Sequence, residues 1–302
     1  MLPFFDEARI RAVLRMEELI PAVERALLSF SAGQVAQPAR QMLAVEPHGG
    51  HFAAMPAVGG IGMGVKLVTF YPGNAALNLP THLAMVVLFR PETGEPQAVM
   101  DGRLITEMRT AAASAVATRA LASPRASVLA ILGTGVQARV HAEALRLVRD
   151  FREVRIWGRT PEKAERLATD VGAVAAPSAE AAVRGADVVV TATSATEPVL
   201  RGAWLAPGCH VNAVGWRGPQ GRELDEQAMR GAFVVADSRE AVLREAGDVL
   251  LAGAGVHAEL GEVLAGAKQA PEGATTVFES VGIAVEDVAA AMLAYEHLRN
   301  QP

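Results

Sequence analysis

The sequence predicts an α/β protein in which a doubly wound parallel sheet follows an α+β region. Two observations point there. After Pro124, short β-branched runs alternate with helical segments, the rhythm of a parallel sheet covered on both faces. Before it, five β-like runs follow one another with only turns between them, as in a mixed or antiparallel sheet.

In the first region, Glu17 to Ser31 places Leu19, Ile20, Val23, Leu27 and Leu28 at helical spacing, with Gly33 as a stop. The strand-like runs are Met42–Val45, His51–Val58, Ile61–Phe70, His82–Phe89 and Gln97–Met100, separated by turn residues such as Pro47-His48-Gly49-Gly50. Leu104 to Ala122 is Ala-rich, without Gly or Pro, and reads as a connecting helix. In the second region the predicted strands are Val128–Leu132, Val154–Trp157, Asp187–Thr191, His210–Val214 and Phe233–Ala236, with helices such as Val136–Arg149 and Pro161–Thr169 between them. Val285 to Leu298 reads as an amphipathic helix with Glu286 and Asp287 in its first turn, where acids favour the helix dipole.

Composition narrows the function classes. A chain of 302 residues, 51% hydrophobic and 20% charged, suffices for two folded domains. A net charge of -5 gives no basic field for nucleic acid. The single cysteine, Cys209, excludes an intramolecular disulfide and fits a reducing compartment. The start, MLPFFDEARIRAV, carries charges where a signal peptide needs an apolar run, and no later stretch reaches membrane-spanning length. The expectation is a cytoplasmic protein with neither nucleic-acid nor membrane partners. His48 and His51 lack a third ligand, so no metal site is expected. Cys209 reads as a packed thiol, and His141 and His257, on predicted helices, as structural or exposed.

The most informative stretch is Ile131-Leu132-Gly133-Thr134-Gly135-Val136-Gln137-Ala138, a G-x-G-x-x-A turn between a strand and a helix. Gly133 allows the tight turn, Gly135 lets the backbone approach a pyrophosphate, and Ala138 lets helix and strand pack closely. The N–H groups of the helix start then face the phosphates. This is the fingerprint of a Rossmann-type dinucleotide-binding domain. The next strand runs into Gly158-Arg159-Thr160 instead of the acid that would accept bonds from the ribose of NAD. Arginine pairs with a 2′-phosphate and Thr160 adds a hydroxyl, so NADPH is the expected cofactor, with NAD possible. The plain alternative is a solvated surface arginine. In the first region, period-two alternation puts Gly62, Gly64 and Lys66 on one strand face, and two glycines beside a lysine suggest open space for a ligand there. The alternative is a lysine that blunts a strand edge.

Many segments, in order, resemble the ornithine cyclodeaminase/mu-crystallin family, most closely its mu-crystallin (ketimine reductase) branch. They include Gly64-Val65-Lys66-Leu67-Val68, Val99-Met100-Asp101-Gly102, Arg109-Thr110-Ala111-Ala112-Ala113-Ser114, the glycine turn, Asn212-Ala213-Val214-Gly215, Gly247-Asp248-Val249-Leu250-Leu251 and Thr276-Val277-Phe278. The resemblance implies a substrate-binding and dimerisation domain (1–110 and 284–302), a dinucleotide-binding domain (111–283), an active site in the cleft between them, and a homodimer. It implies that Arg40 and Arg109 hold a substrate carboxylate and that Lys66 is the active-site lysine. It places Thr81 and His82 near the nicotinamide or the substrate and Ser280 near the nicotinamide end, and Thr110, Lys163, Ala192, Thr193 and Val214 with Gly133, Gly135, Val136, Gln137, Gly158, Arg159 and Thr160 about the cofactor.

One departure matters. After Gly215 the family's cyclodeaminases and alanine dehydrogenases carry Gly-x-Asp-x-Pro, whose aspartate acts at the substrate's α-centre. Here the residues are Gly215-Trp216-Arg217-Gly218-Pro219. Arginine is a poor base near neutrality, which favours reduction of a preformed cyclic imine over oxidative deamination, unless Glu223 or Asp225 takes the aspartate's role. The leading expectation is an NADPH-dependent reductase of small cyclic ketimine carboxylates of the pyrroline- or piperideine-2-carboxylate type. The alternatives are an NAD-dependent ornithine cyclodeaminase, an alanine or N-alkyl amino-acid dehydrogenase, and a cofactor-bound binding protein.

Overall fold

The computed structural model describes residues 2–215 and 218–299. Trp216 and Arg217 lie outside the described residues. The chain divides into two units: residues up to Arg109 together with those from Gly282 onward, and Thr110–Val281.

The first unit is built on a seven-stranded sheet: β1 (Phe4–Phe5), β2 (Val35–Ala36), β3 (Gln41–Val45), β4 (Gly50–Gly59), β5 (Gly62–Phe70), β6 (His82–Phe89) and β7 (Pro96–Asp101). The order is β1-β7-β6-β5-β4-β2, and β3 also pairs with β4. β1 runs parallel to β7 and the other pairings are antiparallel. The five longer strands follow the sequence pattern. The two-residue strands β1 and β2 carry too little alternation to be seen in it. Facing side chains form rows across the sheet, because paired residues of antiparallel strands point the same way. One row, Met55–Lys66–Val86–Met100, is buried throughout.

Helices cover that buried face. After α1 (Glu7–Val13), whose first turn is capped by Asp6, α2 (Met16–Ser31) buries Leu19, Ile20, Val23 and Leu27. The C-terminal helix (Ala284–Leu298) packs against α2 and across β4, β5 and β6. Its first eight residues are all buried, so it is a core helix there, not the amphipathic helix the sequence suggested. It also corrects the reading of the glycines. A Cβ on Gly62 would lie 2.8 Å from Met292 Cγ, and one on Gly64 would lie 3.3 Å from Val288 Cγ2. The space above them is filled by helix, and the glycines are what admit it. The other face of the sheet carries exposed Leu43, Leu83 and Met85 and is left open.

The second unit opens with the greater part of α3 (Gly102–Leu121). Its sheet comprises β8 (Val128–Leu132), β9 (Glu153–Trp157), β10 (Val174–Ala175), β11 (Val188–Thr191), β12 (His210–Ala213), β13 (Phe233–Ala236), β14 (Ala258–Glu259) and β15 (Thr276–Glu279). All eight strands are parallel, in the order β10-β9-β8-β11-β12-β15-β13-β14. The order reverses between β8 and β11, which is the switch point of a Rossmann-type sheet. α4 (Val136–Arg146) follows β8 and ends a turn before the expected Arg149, whose side chain instead caps carbonyls at the end of α3. α5 (Pro161–Val171) follows β9. His257 lies in a loop, not on a helix as expected. Its Nδ1 accepts a bond from Val234 N at 3.0 Å, and its ring stacks on Phe233. Among the described residues, no helix is long and apolar enough to cross a membrane.

A test of the fold follows from Gly64. A Cβ there would lie 2.9 Å from the Val87 carbonyl and 3.1 Å from Leu88 Cδ2, and the carbonyl cannot rotate away. Gly64→Ala should cost about 1–3 kcal/mol, as overpacked cores do. Urea denaturation would register this as a lower midpoint at an unchanged slope. An unchanged midpoint would mean that β5 is not packed at Gly64 as described.

Candidate active site

In the first unit, three cations expected on one site do converge. Lys66 projects from β5 onto the buried face and is 2% exposed. Its Nζ lies 2.6 Å from Asp287 Oδ2 in the first turn of the C-terminal helix. Arg109, 5% exposed on α3, donates through Nε to Asp287 Oδ1 at 2.9 Å and through Nη1 to Glu286 Oε2 at 2.7 Å. Arg40 donates from Nη2 to the Gly282 carbonyl at 3.0 Å. Gly282 has φ 78°, a left-handed conformation that favours glycine, and a Cβ there would lie 2.7 Å from the Arg109 guanidinium. The same residue thus accommodates one arginine and anchors the other.

The cluster tunes its own charges. Burial pushes the Lys66 ammonium down, Asp287 opposes the shift, and Arg109 and Arg40 add to it, leaving its pKa at about 8. Burial would raise Asp287, but Arg109 and Lys66 outweigh it and hold the carboxyl below its ordinary value. Glu286 and Asp287 are the residues sequence reasoning missed. Acids in a first helical turn are adequately explained by the dipole, and only burial of the whole turn reveals their other role.

Also in the first unit, Thr81 and His82 sit at the start of β6, with Thr81 Oγ1 3.2 Å from His82 Nδ1 and the His82 ring against Phe70.

In the second unit, the parallel strands bring most of the residues expected about the cofactor to one carboxyl edge. Gly133 follows β8 with φ 140°, and a Cβ on it would lie 2.4 Å from the Ala192 carbonyl. Glycine is required there twice, by backbone conformation and by the close approach of the neighbouring strand's end across the switch point. Gly135 is different. It is the N-cap of α4 in an extended conformation with no side-chain cap, and a Cβ there would meet open space. The helix start beside it thus has room for an anionic group, and a dinucleotide pyrophosphate fits it. Val136 is exposed and Gln137 half-buried in the same turn. A Cβ on Gly158 would strike Thr134 Cγ2 at 2.4 Å, so this glycine brings the end of β9 against the turn. Arg159, Thr160 and Lys163 are exposed, and Thr160 N-caps α5 without using its side chain. Val214 N donates to the Thr191 carbonyl at 3.0 Å, and Ser280 Oγ to Asp237 Oδ2 at 3.3 Å. Thr110 is buried on α3.

Acidic groups gather at this edge as well, among them Glu223 and Asp225, the two that the sequence offered in place of the aspartate. Glu223 is fully buried, and burial pushes its carboxyl up to about 7. Its Oε1 accepts from Thr193 N at 2.7 Å and Thr193 Oγ1 at 2.5 Å, and its Oε2 from Gly215 N at 2.9 Å. Glu279 is raised well above its ordinary value, by burial first and then by Asp248, Asp237 and Glu223. Asp225 caps the short helix Glu226–Arg230. His141 bridges the Gln137 carbonyl and Ser114 Oγ, and burial lowers its pKa to about 4. The Cys209 thiol is buried and pushed up to about 12. Among the described residues, no group of three His, Cys, Asp or Glu side chains could hold a metal ion.

A glycine turn at the switch point of a parallel sheet and a buried lysine–arginine cluster define a class: a nicotinamide-dinucleotide-dependent oxidoreductase. The ornithine cyclodeaminase/mu-crystallin family model matches residues 4–301, and the chain belongs to that family. It is 51% identical over 301 residues to the ketimine reductase mu-crystallin of Mus musculus, covering 97% of this chain and 96% of that one. The Δ1-pyrroline-2-carboxylate reductase of Thermococcus litoralis, solved with NADH and L-proline, is 38% identical with a TM-score of 0.92, covering 98% of this chain and 97% of that one. An archaeal alanine dehydrogenase dimer with bound NAD is 35% identical with a TM-score of 0.93, covering 99% and 96%.

Proposed function

We propose that this protein is an NADPH-dependent reductase of small cyclic ketimine carboxylates of the pyrroline- or piperideine-2-carboxylate type. The observation that carries the reading is the convergence of Lys66, Arg109 and Arg40. Lys66 and Arg109 pair with Asp287, Arg109 pairs also with Glu286, and Arg40 acts on Lys66 from close by, so cations gather where a substrate carboxylate would be held. Arg109 and Arg40 clamp that carboxylate, and Lys66 gives a proton to the imine nitrogen. The bound nicotinamide supplies the hydride. A lysine with a pKa at about 8 is suited to donating a proton near neutrality. Arg217, outside the described residues, stands where the family's lyases carry an aspartate, which argues against ornithine as the substrate. The relatives named above, one a ketimine reductase and one a pyrroline-2-carboxylate reductase, support the same chemistry.

The NADPH preference rests on Arg159, an exposed arginine in place of the usual acid, with the Thr160 hydroxyl and Lys163 close by in sequence. We also read the protein as a cytoplasmic homodimer. The apolar sheet face bearing Leu43, Leu83 and Met85 is the surface a second copy would cover, and the dimeric alanine dehydrogenase supports this. The lone buried cysteine suits a reducing compartment.

Four outcomes are expected. With a panel of cyclic imines, kcat/KM should fall as pH rises through about 8, because only charged Lys66 holds the proton to be given. Lys66→Met should remove that limb and about 10²–10⁴-fold of the rate, with cofactor still bound. Ammonia and proline formed from ornithine at the rate of imine reduction would overturn the reading. Arg159→Ala should weaken NADPH by roughly 1–3 kcal/mol in a fluorescence titration and leave NADH little changed; equal loss of both would mean that Arg159 does not read the phosphate. Light scattering at micromolar concentration should return twice the chain mass, and a monomer mass would refute the dimer.

A further inference from the structure

The C-terminal helix begins Ala284-Val285-Glu286-Asp287, and both acids are 0% exposed. Removing a carboxylate from water costs several kcal/mol unless partners compensate, and a buried ion pair is weak evidence of a gain in stability. Two buried acids at one helix start therefore call for a use. Their geometry supplies one. Asp287 divides its two oxygens between two cations, Oδ1 accepting from Arg109 Nε at 2.9 Å and Oδ2 lying 2.6 Å from Lys66 Nζ. The single carboxylate spans a strand residue and a helix residue 43 positions apart in sequence, as their numbers show. The carboxylate itself is fixed in place. Val285 N donates to Gln37 Oε1 at 2.8 Å, and the close seating of Val288 and Met292 on Gly64 and Gly62 sets the height of the helix above β5. Glu286 meets the cluster at Arg109 Nη1.

We propose that Asp287 is the positioning residue of this site, holding Lys66 and Arg109 in one frame so that the ammonium stays charged and the guanidinium keeps its Nη2 edge for the substrate carboxylate. This rests on the reading of Lys66 as proton donor. The charged groups that act most strongly on Lys66 are three: Arg109 from α3 and Arg40 from the segment before β3 disfavour the ammonium, and Asp287 from the C-terminal helix favours it. Removing the charge of Asp287 removes the favourable partner and leaves burial and two arginines acting together. Asp287 touches neither the imine nor the nicotinamide in this scheme. It acts through the two residues it holds.

The chain has three lysines, Lys66, Lys163 and Lys268, so the Lys66 ammonium can be followed by NMR on isotope-labelled lysine and assigned by its loss in Lys66→Met. In Asp287→Asn the Lys66 titration should move down by about one pH unit or more, and the basic limb of kcat/KM should move with it. L-Proline, used as the carboxylate probe, should bind about tenfold more weakly to this variant. Glu286→Gln should weaken L-proline and leave the Lys66 titration in place, because that acid meets the cluster at the arginine. A Lys66 titration unmoved in Asp287→Asn, with L-proline affinity unchanged, would overturn the proposal. Should Asp287→Asn not fold, Asp287→Glu decides: the charge is kept but displaced, so the titration should stay close to that of the wild type while L-proline weakens, and no change in either would overturn the proposal. The two readings fail separately. A chain that reduces no cyclic imine yet shows the Lys66 shift loses the functional reading alone, and normal reduction with an unmoved titration loses this one alone.

Discussion

Burial of the Lys66 ammonium is the demand around which the first unit is arranged. A lysine in the row Met55–Lys66–Val86–Met100 sits among hydrocarbon, where an unpaired charge would cost several kcal/mol or be lost as the neutral amine. Asp287 relieves that cost only if the C-terminal helix comes very close to β5. Side chains at 62 and 64 would hold the helix away, so glycines stand there. The helix also needs a sharp entry, which Gly282 provides with its positive φ, and the space left by its missing side chain is taken by the Arg109 guanidinium. Four glycine and acid positions, scattered through the sequence, thus answer a single electrostatic requirement. Arg109 joins because one lysine does not exhaust two buried acids.

The second unit solves a different problem, that of keeping the carboxyl edge of its sheet exact in shape while the sheet behind it stays buried. The edge is fixed by backbone contacts more than by side chains. Gly133 rests on the Ala192 carbonyl, Gly158 on Thr134, and Glu223 ties the loop after β11 to the loop after β12 through Thr193 N and Gly215 N. Behind it, polar groups inside the sheet satisfy one another. His210 Nδ1 meets Thr276 Oγ1 at 2.8 Å, its Nε2 lies 3.3 Å from Asn212 Oδ1, and Asn212 Nδ2 donates to Thr118 Oγ1 at 2.9 Å. Burial lowers the His210 pKa to about 3, so this imidazole is neutral at physiological pH and serves as a hydrogen-bonding strut. A buried network is tolerable only when its members are satisfied.

What could be read from the sequence followed range. The glycine turn, the strands around it and the alternation of β4 to β7 depend on residues near one another in the chain, and they are legible there. Features set by distant contacts were not. β15 inserts between β12 and β13 although it follows both in sequence, and nothing in Thr276–Glu279 announces that order. Gly62 and Gly64 were legible as absent side chains, but whether a ligand or a helix fills the gap depends on residues more than 200 positions away. Glu286 and Asp287 fitted a local explanation so well that their partners stayed hidden. The resemblance to a known family singled out Lys66, Arg40 and Arg109, which do lie together, but not the acids that hold two of them.

The remaining acids bear on which chemistry this chain can support. A lyase or an amino-acid dehydrogenase must take a proton from an ammonium or from water, and the family position that does so is Arg217 here. Two neighbouring acids were candidates to replace it. Asp225 accepts from Ala228 N and Gly202 N, both at Oδ1, which makes it a helix cap with one oxygen engaged. Glu223 is more suggestive, with its carboxyl raised to about 7, yet both of its oxygens accept bonds, one from Thr193 and the other from Gly215. Taking up a proton at Oε1 or Oε2 would weaken a contact that ties the loops at the carboxyl edge of the sheet. A base whose lone pairs already fix the backbone is poorly placed to act as the missing aspartate. Reduction of a cyclic imine makes no such demand. It needs one proton delivered to nitrogen and one carboxylate held in place, the roles proposed for Lys66, with its pKa at about 8, and for Arg40 and Arg109 beside it.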